Sequence, residues 1–556
     1  MSMPSVYTIG IDFGTLSGRA SLVDIANGQE VATSMYDYPH GVMDKCLPTG
    51  RQLPANWALQ HPQDYLDVLT HTIPDVLQKA GIDIKQVVGL GIDFTASTVM
   101  PILQDGTPLC FLPQYENEPH AYVKLWKHHA AQDQANRMTE TAKRRDESFL
   151  NLYGGKISSE WAFPKLLQLL EEAPVLYEAM DTWIEAADWL TFMLTGTQTR
   201  NACCAGYKAC YHKRMGYPSP SYLAALDKRL ETVVQEKMNA PILPSGAAAG
   251  YLTPTFADQL HLPAGTAVSV PVIDAHVCVP AAGIDGPGKM LGILGTSACY
   301  MLLSKEEMPV PGICGMVEDG IVPEYLGYEA GLSCMGDHFA WVAEHCATEA
   351  DREKARAAGI SLHTCLTDQA RNLQPGQSGL LALDWWNGNR SILVDAHLTG
   401  LLIGLTLHTT SAEIYRALIE ATAFGTRMIV ENFREHGIPV EAFYAAGGIS
   451  QKNSLVMQIF ADVLRIPVKV VDASEGGALG SAIFAAVAAG VYPSVKDATH
   501  AMGRPCSAIF TPCDSNTPVY DLLYAEYARL YDFFGRGEND IMKRLLKIKE
   551  AQTPVR

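Results

Sequence analysis

Residues 6–23 read VYTIGIDFGTLSGRASLV. The apolar run 6–13 predicts a buried strand, and Gly14 ends it. Small and polar residues follow, and a second apolar run, 20–23, predicts a strand that returns beside the first. The tip of such a hairpin offers backbone N–H groups and hydroxyls, which bind anions.

A related pattern recurs about half a chain later. Gly292-Ile293-Leu294-Gly295-Thr296-Ser297 precedes the apolar run 298–303. Gly10-Ile11 and Gly292-Ile293 both lead into a Gly-Thr pair, with an offset of 292 − 10 = 282 residues. Two short motifs can be shared by chance, but their position at the start of each half predicts a duplicated domain.

The composition is typical of a folded protein and limits the partners. The chain has 556 residues, enough for three or four domains or for two large ones. Lys and Arg total 42 against 60 Asp and Glu, which gives a formal charge of −18. Because an acidic surface repels phosphate backbones and anionic lipids, we expect neither nucleic acid nor a membrane as partner.

The cysteines and the N-terminal residues favour a reducing, cytoplasmic location. The thirteen cysteines show no CxxC or Cys/His zinc spacing, so we expect scattered, buried free thiols. No basic region with an apolar stretch and a cleavage site precedes the first strand, so no secretion signal is predicted. The longest apolar runs, 398–407 and 482–492, are too short for a bilayer, which needs about 20 residues.

Strand and helix patterns alternate along the chain, which predicts an α/β fold with helices on the sheet faces. Besides the two hairpins, strands are predicted at 87–94, 270–273, 443–446 and 468–471, and helices at 65–78, 161–172, 453–464, 478–489 and, as one or two helices, within 518–550. The turn-rich Asp285-Gly286-Pro287-Gly288 ends the first half. We therefore predict two domains, 1–285 and 286–556.

Four glycine-containing loops each follow a predicted strand, at Gly14, Gly295, Gly447-Gly448 and Gly476-Gly477. Glycine lets the backbone approach a ligand closely, and N–H groups at a hairpin tip or helix start favour anions. Turn geometry alone explains one such loop. Four such loops, divided between the two halves of the chain, favour nucleotide binding. None fits GxxxxGK[ST], and no GxGxxG opens the first strand–helix turn, so the P-loop and Rossmann patterns are not supported.

In order and spacing, these motifs resemble those of the FGGY carbohydrate kinases, which belong to the actin/hexokinase/Hsp70 superfold. Asp12-Phe13-Gly14-Thr15-Leu16-Ser17-Gly18-Arg19 resembles the first phosphate hairpin of the family, and Gly295-Thr296-Ser297 resembles the second. Gly447-Gly448-Ile449-Ser450-Gln451-Lys452-Asn453 resembles the adenosine motif, and Val272-Ile273-Asp274-Ala275-His276 resembles the strand end that carries the catalytic aspartate. The resemblance covers nearly the whole chain.

The resemblance implies two actin-like, ribonuclease H-like α/β domains that flank a cleft, with the sugar mainly on the N-terminal domain and ATP mainly on the C-terminal one. ATP and Mg²⁺ are the implied cofactors. Asp12 is implied to hold Mg²⁺ through water, because Mg²⁺ keeps most of its hydration shell. The residues implied to bind ATP are Gly14, Thr15, Arg19, Gly295, Thr296, Ser297, Gly447, Gly448, Asn453, Gly476 and Gly477.

Asp274 is the predicted catalytic residue. A sugar hydroxyl is a weak nucleophile, and a positioned carboxylate can accept its proton as the bond to phosphorus forms. On the residues alone, Asp274 could equally cap the turn after a buried strand, and the resemblance decides for catalysis. Asp12 has the same alternative as a turn cap, and Arg19 either donates to phosphate or lies on a surface strand.

The resemblance places the loop after strand 87–94 beside the sugar, where Ala96 leaves room for a ketose. Lys208 and Glu329 occur in the similar settings Gly-Tyr-Lys-Ala and Gly-Tyr-Glu-Ala. Both are expected on domain-facing loops, where they hydrogen-bond sugar hydroxyls. Together with Asp274 they form the predicted sugar site, and buried polar groups of this kind reject analogues that leave them unpaired.

Asp93 is interpreted as structural support for this loop. Many members of the family carry Asp shortly after a Trp, whereas this chain reads Trp126-Lys127-His128-His129. A sugar contact by Trp126 or by His128 is therefore left open.

The expected reaction is the ATP-dependent phosphorylation of L-ribulose to L-ribulose 5-phosphate, a step of L-arabinose catabolism, with tolerance for other 2-ketopentoses. Chain length, GGKISSEW at 154–161 and GYKACYH at 206–212 favour this branch of the family over glycerol or xylulose kinases. The alternatives are a D-ribulose or ribitol kinase and, from another class, an actin- or Hsp70-like nucleotide-driven binding protein. Dimers are common among members of the family, so a homodimer is also left open.

Overall fold

The computed structural model describes residues 5–472 and 476–552, which form two compact units. Unit 1 contains residues 5–286, Gly315–Gly327 and residues 476–504. Unit 2 contains Pro287–Cys314 and residues 328–472 and 505–552. Each unit is thus built from several segments, and the first change of unit follows Gly286. The assignment of 1–285 to the sugar and 286–556 to ATP stays a prediction.

The strands are numbered in chain order. They are β1 Tyr7–Phe13, β2 Ser17–Asp24, β3 Gln29–Asp37, β4 Leu59–Gln60, β5 Val87–Phe94, β6 Val99–Ile102, β7 Val123–Lys124, β8 Thr182–Glu185, β9 Arg200–Asn201, β10 Ile242–Leu243, β11 Ala248–Tyr251, β12 Ala267–Ser269, β13 Val272–Ile273, β14 Gly288–Leu294, β15 Ala298–Ser304, β16 Gly315–Glu318, β17 Leu326–Leu332, β18 Leu381–Leu383, β19 Leu401–Ile403, β20 Val440–Ala446, β21 Val468–Val471 and β22 Cys506–Phe510.

The helices are numbered in the same way. They are α1 Pro62–Ala80, α2 Gln132–Arg144, α3 Ala162–Glu172, α4 Pro174–Ala179, α5 Ala186–Thr195, α6 Ala202–Ala209, α7 Pro220–Leu226, α8 Val233–Lys237, α9 Pro254–Leu260, α10 Asp274–Ala281, α11 Gly336–His345, α12 Glu349–Ala358, α13 Leu362–Arg371, α14 Ser411–Glu435, α15 Gly448–Lys452, α16 Ser454–Leu464, α17 Gly476–Ala488, α18 Val495–Met502, α19 Thr517–Gly535 and α20 Ile541–Gln552. Short 3₁₀ helices lie at Ile84–Gln86, Leu109–Phe111, Pro119–Ala121, Ser148–Tyr153 and Lys228–Leu230.

Both predicted hairpins are present, and the two units repeat one strand topology. In unit 1 the order is β3-β2-β1-β5-β12-β11, with β1 antiparallel to β2 and parallel to β5. In unit 2 the order runs β17-β15-β14-β20-β21-β22, with β14 antiparallel to β15 and parallel to β20. The strand that opens each hairpin therefore lies at the centre of its sheet. This supports the predicted duplication.

The two faces of β1 show how its sequence positions the site. Ile9, Ile11 and Phe13 point to one face, where they are buried in a core with side chains of α1 and α5. Because successive side chains of a strand alternate, Gly10 and Asp12 point to the other face. Helix α17 packs there so closely that a Cβ on Gly10 would lie 1.7 Å from the carbonyl oxygen of Ala478.

The same close approach recurs on β5 and gives a stability prediction. A Cβ on Gly91 would lie 1.9 Å from the carbonyl oxygen of Ser481 in α17. We expect Gly91→Ala to lower the free energy of unfolding by about 1–3 kcal/mol, because the backbone of α17 must shift. Thermal unfolding measures this, with Gly448→Ala as control because a Cβ there meets open space. Equal midpoints for the two variants would contradict the packing described.

The structure corrects some predicted boundaries. Of the strand predicted at 270–273, only Val272–Ile273 is present, as β13. The preceding strand β12 ends at Ser269, and Pro271, between the two strands, has no N–H for the ladder. Helix α1 begins before the predicted 65–78, since His61 caps it and Pro62 occupies its first turn. The tail 518–550 forms two helices, α19 and α20.

None of the thirteen cysteines, all of which lie in the described residues, forms a disulfide, as predicted. The expectation that they are buried holds for only six, which are Cys110, Cys203, Cys204, Cys210, Cys334 and Cys365. In the described part of the chain, no helix combines the length and the apolar character needed to cross a membrane.

Candidate active site

Three aspartates meet at the carboxyl edge of the unit 1 sheet. Asp12 of β1 and Asp93 of β5 are partners in register, each one residue before the end of its strand. Asp274 begins α10 directly after β13, whose Ile273 pairs with Phe94 of β5. Because parallel strands end at the same edge, the carboxylates converge there.

Asp93 is the buried member of this acid cluster. Burial raises the pKa of Asp93 well above its usual range, and the nearby negative charges of Asp12 and Asp274 raise it further. Ser481 of α17 donates a hydrogen bond to Asp93 Oδ2 at 2.7 Å. The interpretation of Asp93 as support for a loop missed this proximity to the two predicted functional carboxylates.

Asp274 is the first residue of α10, as the interpretation as a turn cap expects. Its half-buried carboxylate accepts a hydrogen bond from the N–H of Ala275 at 2.7 Å, within the first turn of α10. Cys278 donates to the Asp274 carbonyl at 3.3 Å. Asp274 thus caps the start of its own helix and belongs to the acid cluster, and its role as general base stays a prediction.

The first hairpin is held in place by side chains from outside it. The N–H of Gly14 donates to the Ser17 carbonyl at 3.0 Å. The Tyr38 hydroxyl donates to the Gly14 carbonyl at 3.0 Å, and the Gln60 amide donates to the Thr15 carbonyl at 2.8 Å. These bonds fix the backbone at the tip, where phosphate binding is predicted.

Arg19 lies on β2 directly opposite Asp12 of β1. Cross-strand partners share one face of a sheet, and opposite charges in such a pair attract. The guanidinium of Arg19 also contacts Met35 Sδ at 3.8 Å. The structure therefore confirms that Arg19 is a strand residue, while its contact with phosphate stays a prediction.

Gly476 and Gly477 begin α17 beside Asp12. A Cβ on Gly477 would lie 3.0 Å from Asp12 Cγ, so the carboxylate fits because the side chain is absent. Both glycines thus belong to unit 1, next to the carboxylate predicted to hold the metal. Their contact with ATP stays a prediction.

The structure shows where Ala96, Trp126 and His128 lie. Ala96 is half-buried in the loop between β5 and β6. Trp126 is 38% exposed and donates its indole N–H to Thr15 Oγ1 at 3.2 Å. His128 is fully buried, with Nδ1 accepting a backbone N–H at 3.3 Å and Nε2 2.9 Å from Gln168 Oε1. His128 is therefore a core residue, whereas Trp126 contacts the hairpin.

Lys208 lies on helix α6, so its prediction as a loop residue was wrong. Gly206, which suggested a loop, instead allows close packing against Val317, because a Cβ on Gly206 would lie 2.3 Å from Val317 Cγ1. Lys208 is buried, with its amine 6.0 Å from the centre of the Tyr207 ring. Burial of this amine is compatible with the predicted contact with a sugar hydroxyl.

Glu329 lies on strand β17, so its loop prediction was wrong as well. Its side chain is 2% exposed and accepts a hydrogen bond from Arg390 Nη2. Its carbonyl accepts the N–H of Cys314 at 2.7 Å. Sequence reasoning missed Arg390, which lies 61 residues away in the chain.

The second hairpin, like the first, has three residues between its strands, 295–297 compared with 14–16. The N–H of Gly295 donates to the Ser297 carbonyl at 3.0 Å, and Thr296 and Ser297 are exposed. The carbonyl of Gly295 accepts the N–H of Gly336, at the start of α11, at 3.0 Å. The hairpin tip therefore lies beside a helix N-terminus, which favours anions.

The predicted adenosine motif lies beside this hairpin. Gly447 has φ +92°, and a Cβ there would lie 2.6 Å from a backbone oxygen at the end of β14. Gly448 opens α15 next to open space. Asn453 caps α16, accepting from the Val456 N–H at 3.2 Å and donating to Thr367 at 3.1 Å. The structure thus places Gly447 against the end of β14, beside the second hairpin. The contact of Asn453 with ATP stays a prediction.

The acid cluster suits a hard divalent cation, which takes oxygen ligands. Asp93 Oδ1 is buried and has no hydrogen-bond partner among residues 5–472 and 476–552. Beside half-buried Asp12, this oxygen fits a hydrated Mg²⁺.

Another group, His40, His61 and Asp64, could offer metal ligands. The imidazole rings of His40 and His61 are stacked, with their centres 4.2 Å apart and an angle of 16° between their planes. One ion therefore cannot lie in both ring planes.

Curated relatives match the chain over its full length. A ribulokinase of Bacillus licheniformis is 53% identical over 543 residues, covering 97% of this chain and 98% of that protein. A ribulokinase of Halalkalibacterium halodurans is 51% identical over 555 residues, covering 99% of both.

Solved structures share the fold, and family models identify the family. The xylulose kinase from Rhodospirillum rubrum matches with a TM-score of 0.78 at 22% identity, covering 94% of this chain and 98% of that one. The glycerol kinase of Plasmodium falciparum with ADP matches with a TM-score of 0.75 at 16% identity, with the same coverage. These two show the fold alone. Residues 7–279 and 290–489 match the N-terminal and C-terminal domains of one family, and the chain belongs to it: the FGGY family of carbohydrate kinases.

Proposed function

We propose that this protein transfers the γ-phosphoryl group of ATP to O5 of L-ribulose, giving ADP and L-ribulose 5-phosphate. The observation that carries the proposal is the 53% identity, over 97% of the chain, to a protein named ribulokinase. The acid cluster supports the chemistry. Family membership decides against the nucleotide-driven binding protein that the sequence had left open.

Asp274 acts as the general base in this proposal. The O5–H proton passes to its carboxylate while the O5–phosphorus bond forms. The bond from the γ-phosphorus to the β,γ-bridging oxygen breaks, and ADP leaves with its electron pair. The N–H of Ala275, 2.7 Å from Asp274 Oδ1, orients the carboxylate.

Asp12 is the proposed Mg²⁺ ligand, with Asp93 beside it. Bound Mg²⁺ would neutralise charge on the β- and γ-phosphate oxygens. The tips of the two hairpins, at Thr15 and at Gly295-Thr296-Ser297, are proposed to donate to phosphate oxygens. Gly447-Gly448 and Asn453 are proposed to bind the adenosine.

Lys208, Glu329 and Ala96 are the proposed sugar contacts. The buried amine of Lys208 donates to a hydroxyl, and Glu329, held by Arg390, accepts from one. A sugar that leaves either group unpaired binds poorly, because a buried polar group without a partner is costly. Ala96 leaves space rather than a polar contact.

The test is coupled ADP release with MgATP against L-ribulose, D-ribulose, L-xylulose, D-xylulose, ribitol and glycerol. We expect L-ribulose to give the highest kcat/KM, with weaker activity on other ketopentoses. A higher value for D-ribulose or ribitol would reassign the substrate within the family. An absence of sugar-stimulated ADP release would overturn the proposed function.

A homodimer and a cytoplasmic location stay predictions. Analytical ultracentrifugation of the purified protein tests the first, and fractionation of the source cells tests the second. Neither result bears on the proposed reaction.

A further inference from the structure

Lys165 of helix α3 is fully buried, and its amine bonds two separate segments of unit 1. Its Nζ donates to the Ser97 carbonyl at 2.7 Å and to the Leu125 carbonyl at 2.8 Å. Ser97 follows Ala96 in the loop between β5 and β6, and Leu125 precedes Trp126. One amine therefore joins the proposed sugar loop to a neighbouring segment.

The loop has a conformation that needs support. Ser97 has φ +53°, in the left-handed region, which non-glycine residues rarely occupy. Such a residue persists only where its surroundings hold it. The Ser97 hydroxyl donates to the Glu160 carbonyl at 2.6 Å. The carbonyl of Ser97 itself accepts the hydrogen bond from Lys165.

The second segment continues towards the first hairpin. Trp126, directly after Leu125, donates its indole N–H to Thr15 Oγ1 at 3.2 Å. The N–H of Leu125 donates to the Ala58 carbonyl at 3.0 Å. Lys165 thus links the loop at Ala96 with the segment that contacts the predicted phosphate hairpin.

Charged groups around Lys165 connect it with the predicted sugar site. Burial lowers the pKa of Lys165 to about 7, nearby Glu185 and Glu160 raise it, and Lys208 lowers it. The predicted sugar ligand Lys208 is therefore close enough to act on this amine. Lys124 of β7 faces it as well, since Lys165 contributes to lowering the Lys124 pKa.

We propose that Lys165 is a positioning residue for the sugar: by bonding Ser97 and Leu125 it holds the loop at Ala96 and so determines the KM for the pentulose. The inference rests on the proposed function. Lys165 contacts the backbone of the loop, so its removal affects sugar binding more than phosphoryl transfer.

Lys165→Met tests this, because it keeps the length of the side chain and removes both hydrogen bonds. We expect the KM for L-ribulose to rise about tenfold or more, as befits two lost bonds, with kcat and the KM for ATP nearly unchanged. A tenfold loss of kcat at constant KM would overturn the proposal.

Lys124→Met is the matched control. Lys124 is also fully buried, with a pKa lowered by burial to about 7, and its amine lies 3.5 Å from the His120 carbonyl rather than on the loop. We expect this variant to leave the KM for the sugar unchanged. An equal rise of KM in both variants would mean that any buried lysine in this region matters, which contradicts a specific role for Lys165.

Two further measurements keep the proposal testable apart from catalysis. Without sugar, hydrogen exchange of peptides covering 95–99 should be faster in Lys165→Met than in wild type or Lys124→Met. Unchanged exchange would overturn the proposal even if no sugar proved to be a substrate. If Lys165→Met does not fold, Ser97→Ala is used instead, because it removes the hydroxyl bond to the Glu160 carbonyl while residue 97 keeps its strained left-handed backbone. An unchanged sugar KM in that variant would count against a role of the loop conformation in sugar binding.

Discussion

Asp274→Asn is expected to lower kcat for L-ribulose by about 10²–10⁴, the range that general-base assistance contributes. The amide keeps the size of the side chain and can still accept the Ala275 N–H, which is 2.7 Å from the carboxylate. It cannot take the proton of the sugar hydroxyl. Steady-state kinetics should show the loss in kcat, with the KM for ATP nearly unchanged.

The matched control for this variant is Asp133→Asn. Asp133 also lies in the first turn of a helix, α2, but is exposed and outside the acid cluster. It should retain wild-type kinetics. If Asp274→Asn retained wild-type kcat as well, Asp274 would be only a cap of α10, and the assigned general base would be wrong.

Asp12→Asn is expected to lower kcat by about 10²-fold or more and to raise the Mg²⁺ concentration needed for half-maximal activity. The physical reason is that a bound cation contributes several kcal/mol to stabilising the transferred charge, and each 1.4 kcal/mol corresponds to a factor of ten. Initial rates at varied Mg²⁺ and fixed ATP measure both effects.

Asp24→Asn controls for a change in the same hairpin. Asp24 ends β2, at the opposite end of the β1–β2 pair, where it pairs with Tyr7 and its carboxylate accepts the Ala26 N–H at 2.9 Å. Its Mg²⁺ dependence should equal that of wild type. An unchanged Mg²⁺ dependence in Asp12→Asn would remove Asp12 from the metal site.

The elements that could be predicted were those that depend on local pattern. The alternation in residues 6–23 predicted the first hairpin, and the same argument predicted β5 at its observed bounds, Val87–Phe94. Turn glycines and apolar runs are local signals, so they can be interpreted without knowledge of the rest of the fold. The loops at Gly14, Gly295 and Gly447 were predicted in this way.

The proximity of Asp93 to Asp12 has a signal in the sequence that the interpretation of Asp93 as loop support did not use. Residues 10–13 and residues 91–94 both read GIDF, and the two tetrapeptides pair in register as parallel neighbours. Comparison of the two would have placed Asp93 beside Asp12. The strong rise of the Asp93 pKa follows from that pairing and from burial, which one strand alone does not reveal.

Long-range contacts explain the remaining errors. Gly206 and the residues beside Glu329 suggested loops, yet the glycine serves close packing against Val317 and Glu329 lies within β17. Arg390 and Lys165 reach their partners across 61 and 68 residues of chain. No periodicity or local motif encodes such partners, so they appear only once the chain is folded.

The most direct test of the central claim is to identify the products formed from MgATP and L-ribulose, by ³¹P NMR of the reaction mixture. The account predicts equal amounts of ADP and a pentulose phosphomonoester, with phosphorus coupled to the C5 protons. Release of inorganic phosphate with unchanged L-ribulose, or no reaction, would contradict it.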